Sequence, residues 1–125
     1  MKSKLLCLAF VVGVLTFCGS TFAHHGSAAY SNAVAVMKDA TVTKFTWNNP
    51  HCIVMFDVKD EKGNIEKWTA ELGALGMLAR SGWRRDTLKP GDEITAIGNP
   101  AKDGKPVMHL TKIVFANGQE LSSAL

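Results

Sequence analysis

Three features of this 125-residue chain predict a mostly β fold, built as a small five-stranded barrel with one short helix between strands 3 and 4. Five short runs rich in β-branched and aromatic residues are divided by turn formers such as Gly63-Asn64, Pro90-Gly91 and Asp103-Gly104. Residues 51–58 alternate strictly: Cys52, Val54, Phe56 and Val58 share one face, and His51, Ile53, Met55 and Asp57 the other. A single stretch of helical period, residues 73–80, interrupts the strands with a stripe of Leu75, Leu78 and Ala79.

The chain opens on an export signal. Lys2 and Lys4 precede an apolar run of 13 residues, 5–17, and Thr21-Phe22-Ala23 supplies a small-residue cleavage pattern. A membrane-spanning helix needs about 20 apolar residues, so a signal peptide fits and a transmembrane anchor does not. Leu15-Thr16-Phe17-Cys18 resembles a lipid-attachment site, but Phe17 stands where a small residue is required, which argues against lipidation at Cys18. The chain thus divides into a signal peptide at 1–23, an N-terminal arm at 24–38 and a β-barrel domain at 39–121. The expected location is the periplasm or the exterior.

Removing the signal leaves 102 of the 125 residues, enough for one modest core. It also takes Lys2 and Lys4 from the 14 basic residues, leaving 12 against 11 acidic ones, a net charge of +1. Such a balance gives no electrostatic case for nucleic acid or an anionic membrane surface. Cys7 and Cys18 leave with the signal. Cys52 then has no intramolecular partner, and its place on the apolar face reads as a buried thiol.

Residues 24–32 are small and polar and form the arm, with the apolar 33–37 leading to the first strand. That strand, 39–47, ends at Trp47-Asn48-Asn49-Pro50, where proline removes a donor and the asparagines tolerate turn backbones. The second strand, 51–58, and the third, 65–72, flank the charged loop 59–64. Trp68, Ala70 and Leu72 share the inward face of the third. After the helix, Ser81-Gly82 stops the chain and Trp83 needs packing at a barrel end. Residues 93–98 form the fourth strand and 107–115 the fifth. Met108 and Leu110 are out of phase with Ile113 and Phe115, which places a bulge near Thr111-Lys112. Asn117-Gly118 turns into a short closing segment at Glu120-Leu121. Three strands, a helix and two strands match a Greek-key barrel of the oligonucleotide/oligosaccharide-binding (OB-like) type, with a β-sandwich-like roll as the competing arrangement.

Several segments together resemble the DUF6152 family of small exported bacterial proteins of unknown function. They are His24-His25-Gly26-Ser27, Thr41 to Lys44 leading to Trp47-Asn48-Asn49-Pro50-His51, Trp68 with Glu71-Leu72-Gly73, Gly82 to Asp86, Leu88 to Asp92, and Asn117-Gly118. Gly26-Ser27 departs from the Ser-Phe frequent in that family. The resemblance implies a signal-bearing β-barrel and supplies no catalytic residues.

The candidate metal ligands are His24, His25, His51 and His109, all four histidines of the chain. Cleavage after Ala23 would give His24 a free α-amine beside its imidazole, a nitrogen-rich set that suits copper(II), with nickel and zinc behind it. The bland reading is a polar arm whose histidines bind nothing. Asp57, Glu71 and Met55 are possible further ligands, each more simply explained as surface or wall. His51 points outward, away from Cys52, and a folded-back arm would bring His24 or His25 to it. Trp47 and Asn49 are the candidate contacts of a non-metal ligand, a glycan or peptide stacked on the indole. Trp68 and Trp83 read as core, and Arg84 and Arg85 as partners of Asp86 or Glu71. No nucleophile elbow, triad or paired carboxylates stand out, so the expectation is a binding or accessory module for a small ligand, a metal or a protein partner rather than an enzyme.

Overall fold

The computed structural model describes residues 27–123. The six strands are β1 (Ala35–Thr46), β2 (Ile53–Lys59), β3 (Ile65–Glu71), β4 (Glu93–Pro100), β5 (Val107–Phe115) and β6 (Glu120–Ser122), with one helix, α1 (Leu75–Arg80), between β3 and β4. Strand β1 pairs with β2 and β4, β2 with β3, β4 with β5, all antiparallel, and a parallel β3–β5 pair closes the five-stranded ring. This is the expected OB-like barrel. The short β6 adds itself to the far half of β5. Among the described residues no helix is long and apolar enough to cross a membrane.

The core follows the alternation in the sequence. Val54 and Phe56 are buried from β2 with Cys52 just before it, and Trp68 and Ala70 from β3 with Leu72 just after it. Trp83 is wholly buried, and its indole N–H reaches the Ser122 carbonyl at 2.8 Å, which fastens the connector after α1 to β6. Leu78 is the buried residue of the helix, whereas Ala79, expected on the apolar stripe, is exposed.

Strand β1 reaches back to Ala35, into the stretch expected to be arm. Two bulges make this possible. Met37 and Ala40 face Ala96 and Ile94, so β1 carries one extra residue against β4, and Asp39 absorbs it with a left-handed φ of 53°. Val42 and Lys44 face Phe56 and Met55, which inserts a second extra residue against β2. Bulges raise local twist and bend a strand, so one strand wraps from β4 to β2. The fifth strand shows the expected slip at Thr111: Ile97 and Gly98 are adjacent, but their partners are Lys112 and Leu110.

Candidate functional site

The candidate residues gather at one end of the barrel, where the β1–β2 turn meets the end of β3 and the start of β5. Two backbone bonds clamp the turn: Cys52 N–H to the Gly73 carbonyl at 3.1 Å, and Leu72 N–H to the Cys52 carbonyl at 2.9 Å. They hold His51 against the last residues of β3. In the parallel β3–β5 pair Glu71 is the register partner of His109. Glu71 therefore has one histidine from a turn and one from a neighbouring strand beside it.

The contacts define the centre. His51 Nδ1 lies 3.1 Å from the Leu72 carbonyl oxygen and 3.4 Å from Glu71 Oε1. A carbonyl only accepts, so Nδ1 carries the hydrogen, and in the neutral ring the lone pair is then on Nε2. The His51 side chain is 48% exposed and that of Glu71 25%. The other carboxylate oxygen, Glu71 Oε2, accepts the Tyr30 hydroxyl at 2.7 Å, and the Tyr30 ring stands 5.6 Å from the His109 ring.

Electrostatics follow from this packing. Burial, reinforced by the hydrogen bond and charge of Glu71, pushes the Tyr30 phenol up to about 12. Burial also lowers the His109 pKa; the Glu71 carboxylate works against this and His51 adds to it. The neutral imidazole is the form that binds metals.

The N-terminal segment reaches this end through more than Tyr30. Ser27–Ala29 form a single 3-10 turn, Tyr30 bridges Ala101, Ser31 N–H bonds the Pro100 carbonyl at 2.8 Å, and Lys102 N–H bonds the Ala29 carbonyl at 3.1 Å. The arm is thus docked along the end of β4. His24 and His25 lie outside the described residues. Among the described residues, no three His, Cys, Asp or Glu side chains are placed to hold a metal ion.

The remaining candidates sit elsewhere. Trp47 is half-buried and packs edge-on to Phe45 at 5.9 Å, which in turn meets Trp83 at 6.0 Å. Asn49 Oδ1 accepts the Leu75 N–H at 3.2 Å, at the start of α1. Cys52 is buried in the wall of the core, and that burial raises its thiol pKa, which disfavours the thiolate. Asp57 faces Lys67 at 3.5 Å, and Met55 is exposed on the barrel side. Arg84, expected to pair with Asp86 or Glu71, instead donates to the Ala79 and Trp83 carbonyls at 3.0 and 2.7 Å. Its guanidinium completes the backbone of the connector after α1.

Sequence reasoning named Glu71 as a possible ligand and missed its bond to Tyr30. It also passed over Lys102 and Lys105, because Lys-Asp-Gly-Lys reads as an ordinary solvated loop.

The family model described as a family of unknown function, DUF6152, matches residues 12–109, and the chain belongs to that family. No curated protein and no solved structure matches the chain.

Proposed function

We propose that this DUF6152 member is an exported binding module whose working end is the barrel mouth around Glu71. There His51 and His109 supply two imidazoles of a copper(II) or zinc centre that His24 and His25 complete. The observation that carries this reading is the placement of His51 Nδ1 at 3.1 Å from the Leu72 carbonyl oxygen and 3.4 Å from Glu71 Oε1, which leaves Nε2 for a metal. A carbonyl or carboxylate that accepts from one ring nitrogen is the usual way to orient an imidazole whose other nitrogen binds a metal.

Burial favours the neutral, metal-binding form of His109. Two imidazoles alone make a weak site, and the third donor must come from the arm. Ala29 is pinned at the mouth, and His25 precedes it by four residues. The turn at Ser27–Ala29 is fixed, so His25 would approach His51 on the two residues that precede it, a reach of about 7 Å when extended. Signal cleavage after Ala23 adds the α-amine of His24. Nitrogen donors of this kind rank copper(II) first among the divalent ions. The centre is read as a binding site, not a catalytic one.

A glycan or peptide site on Trp47 and Asn49 has less support, because the indole packs on Phe45 and the Asn49 oxygen is used by the helix.

The test is a copper(II) titration of protein purified from an exporting cell, after N-terminal sequencing. One copper per chain is expected, bound at least tenfold more tightly than by a free His-His-Gly-Ser peptide, and weakened by His51→Ala, by His109→Ala and by one residue added before His24. An affinity equal to the peptide's overturns the reading.

A further inference from the structure

Beside the imidazole pair, a cleft of about 490 Å³ opens between the N-terminal segment and the β4–β5 loop. Small-molecule sites fall in the range of roughly 300–1,000 Å³ and combine apolar walls with a few polar groups. Ala101, Val107 and the Tyr30 ring supply apolar wall here, and Glu71, Lys102 and Lys105 supply charge. We propose that this cleft binds a zwitterion with an apolar body, a free amino acid or short peptide, its ammonium on Glu71 and its carboxylate on Lys102.

Three observations point to that chemistry. Glu71 is a half-buried carboxylate whose fixed partners are the Tyr30 hydroxyl and the His51 ring; no lysine or arginine pairs with it among the described residues. A ligand ammonium would supply the missing cation, and hydrogen bonds to an ionised group are about twice as strong as neutral ones. Lys102 has no acidic partner among the described residues, whereas Lys105 is held by Asp103 at 3.3 Å. The rim therefore offers one free ammonium for a carboxylate.

The third observation is balance. Lys102 and Lys105 are matched by Glu71 and Asp103 in the lining. A simple anion would meet two carboxylates and a simple cation two ammonium groups. A molecule carrying both charges satisfies each end, while its side chain covers Ala101 and Val107. In barrels of this strand order the β1–β2 and β4–β5 loops are the ones that hold ligands, and the cleft uses the second of them.

The proposal shares Glu71 with the metal centre but needs no metal, and its test is run in the presence of a chelator so that the two fail separately. The protein as exported is titrated calorimetrically with dileucine, N-acetyl-dileucine and dileucine amide. Dileucine should bind, and each blocked form should bind at least tenfold more weakly. Lys102→Ala should weaken dileucine tenfold yet leave the amide unchanged, since the amide has no carboxylate to lose. Ala101→Phe, with an unchanged circular dichroism spectrum, should abolish binding by filling the cleft. Equal binding of the blocked forms, indifference to Lys102→Ala, or no binding of dileucine each overturns the proposal.

Discussion

The Tyr30 hydroxyl donates to Glu71 Oε2 at 2.7 Å, across 41 residues of sequence. This bond joins the N-terminal segment to the end of β3, on the carboxylate that the two histidines flank. A hydrogen bond to a charged group contributes about 1.5–3 kcal/mol, and partial exposure brings this one toward the low end. Tyr30→Phe should lower unfolding stability by about 1.5 kcal/mol. It should also speed hydrogen exchange at the Ser31 and Lys102 amides, whose bonds to Pro100 and Ala29 hold the same segment. Unchanged exchange at both amides would show that the backbone bonds dock the arm unaided.

The same pair has a spectroscopic signature. The chain contains one tyrosine, so tyrosinate absorbance reports Tyr30 alone. Its pKa is raised from 10.0 to about 12, by burial first and then by Glu71. A raised folded pKa means that its stabilisation is whole below pH 10.0 and is lost as pH climbs toward about 12. Glu71→Gln should move the absorbance midpoint part of the way back, because burial remains. A wild-type midpoint at the ordinary phenol value contradicts the geometry.

The barrel was legible in the sequence wherever burial imposes a period. The alternation of Cys52, Val54 and Phe56 separated the thiol from His51, and the phase slip between Leu110 and Ile113 located the bulge at Thr111. The start of β1 was not legible, since Lys38-Asp39 looks like an interruption until Asp39 takes a left-handed turn inside the strand. The site was half legible. All four histidines were visible, but the nearness of His109 to Glu71 depends on the parallel β3–β5 pair. Those strands are separated by a helix and another strand, and a contact made at such range leaves no local period. The role of Asn49 was hidden for the same reason, because its partner Leu75 lies 26 residues on.

Gly98 is required by that site. A Cβ at this position would lie 2.2 Å from the His109 carbonyl oxygen, a backbone atom. Relief requires β4 and β5 to separate at the Thr111 bulge. Gly98→Ala should cost at least about 3 kcal/mol, in the range reserved for severe local strain, and should displace His109. Gly76 is the control. It is an exposed helical position with nothing within 4 Å of an added Cβ, so Gly76→Ala should raise stability by roughly 0.5–1 kcal/mol. Urea denaturation of both variants reads the contrast, and similar midpoints would contradict it.

His109 contributes to the acid limb of stability. Its folded pKa lies below the ordinary 6.5, chiefly because the ring is half-buried, with His51 acting in the same direction and Glu71 against it. Between the depressed folded value and 6.5, the unfolded chain holds a proton on this ring that the folded chain lacks. Stability then rises with pH across that window, and acidification below pH 6.5 erodes it until the folded ring itself protonates. His109→Gln should flatten this part of the stability–pH curve. In an NMR titration, Glu71→Gln should drive the His109 midpoint lower still, since it removes the charge that favours the imidazolium, and His51→Ala should raise it. A midpoint indifferent to Glu71→Gln would mean that the carboxylate does not act on the ring, and that His51 and His109 do not share one electrostatic centre.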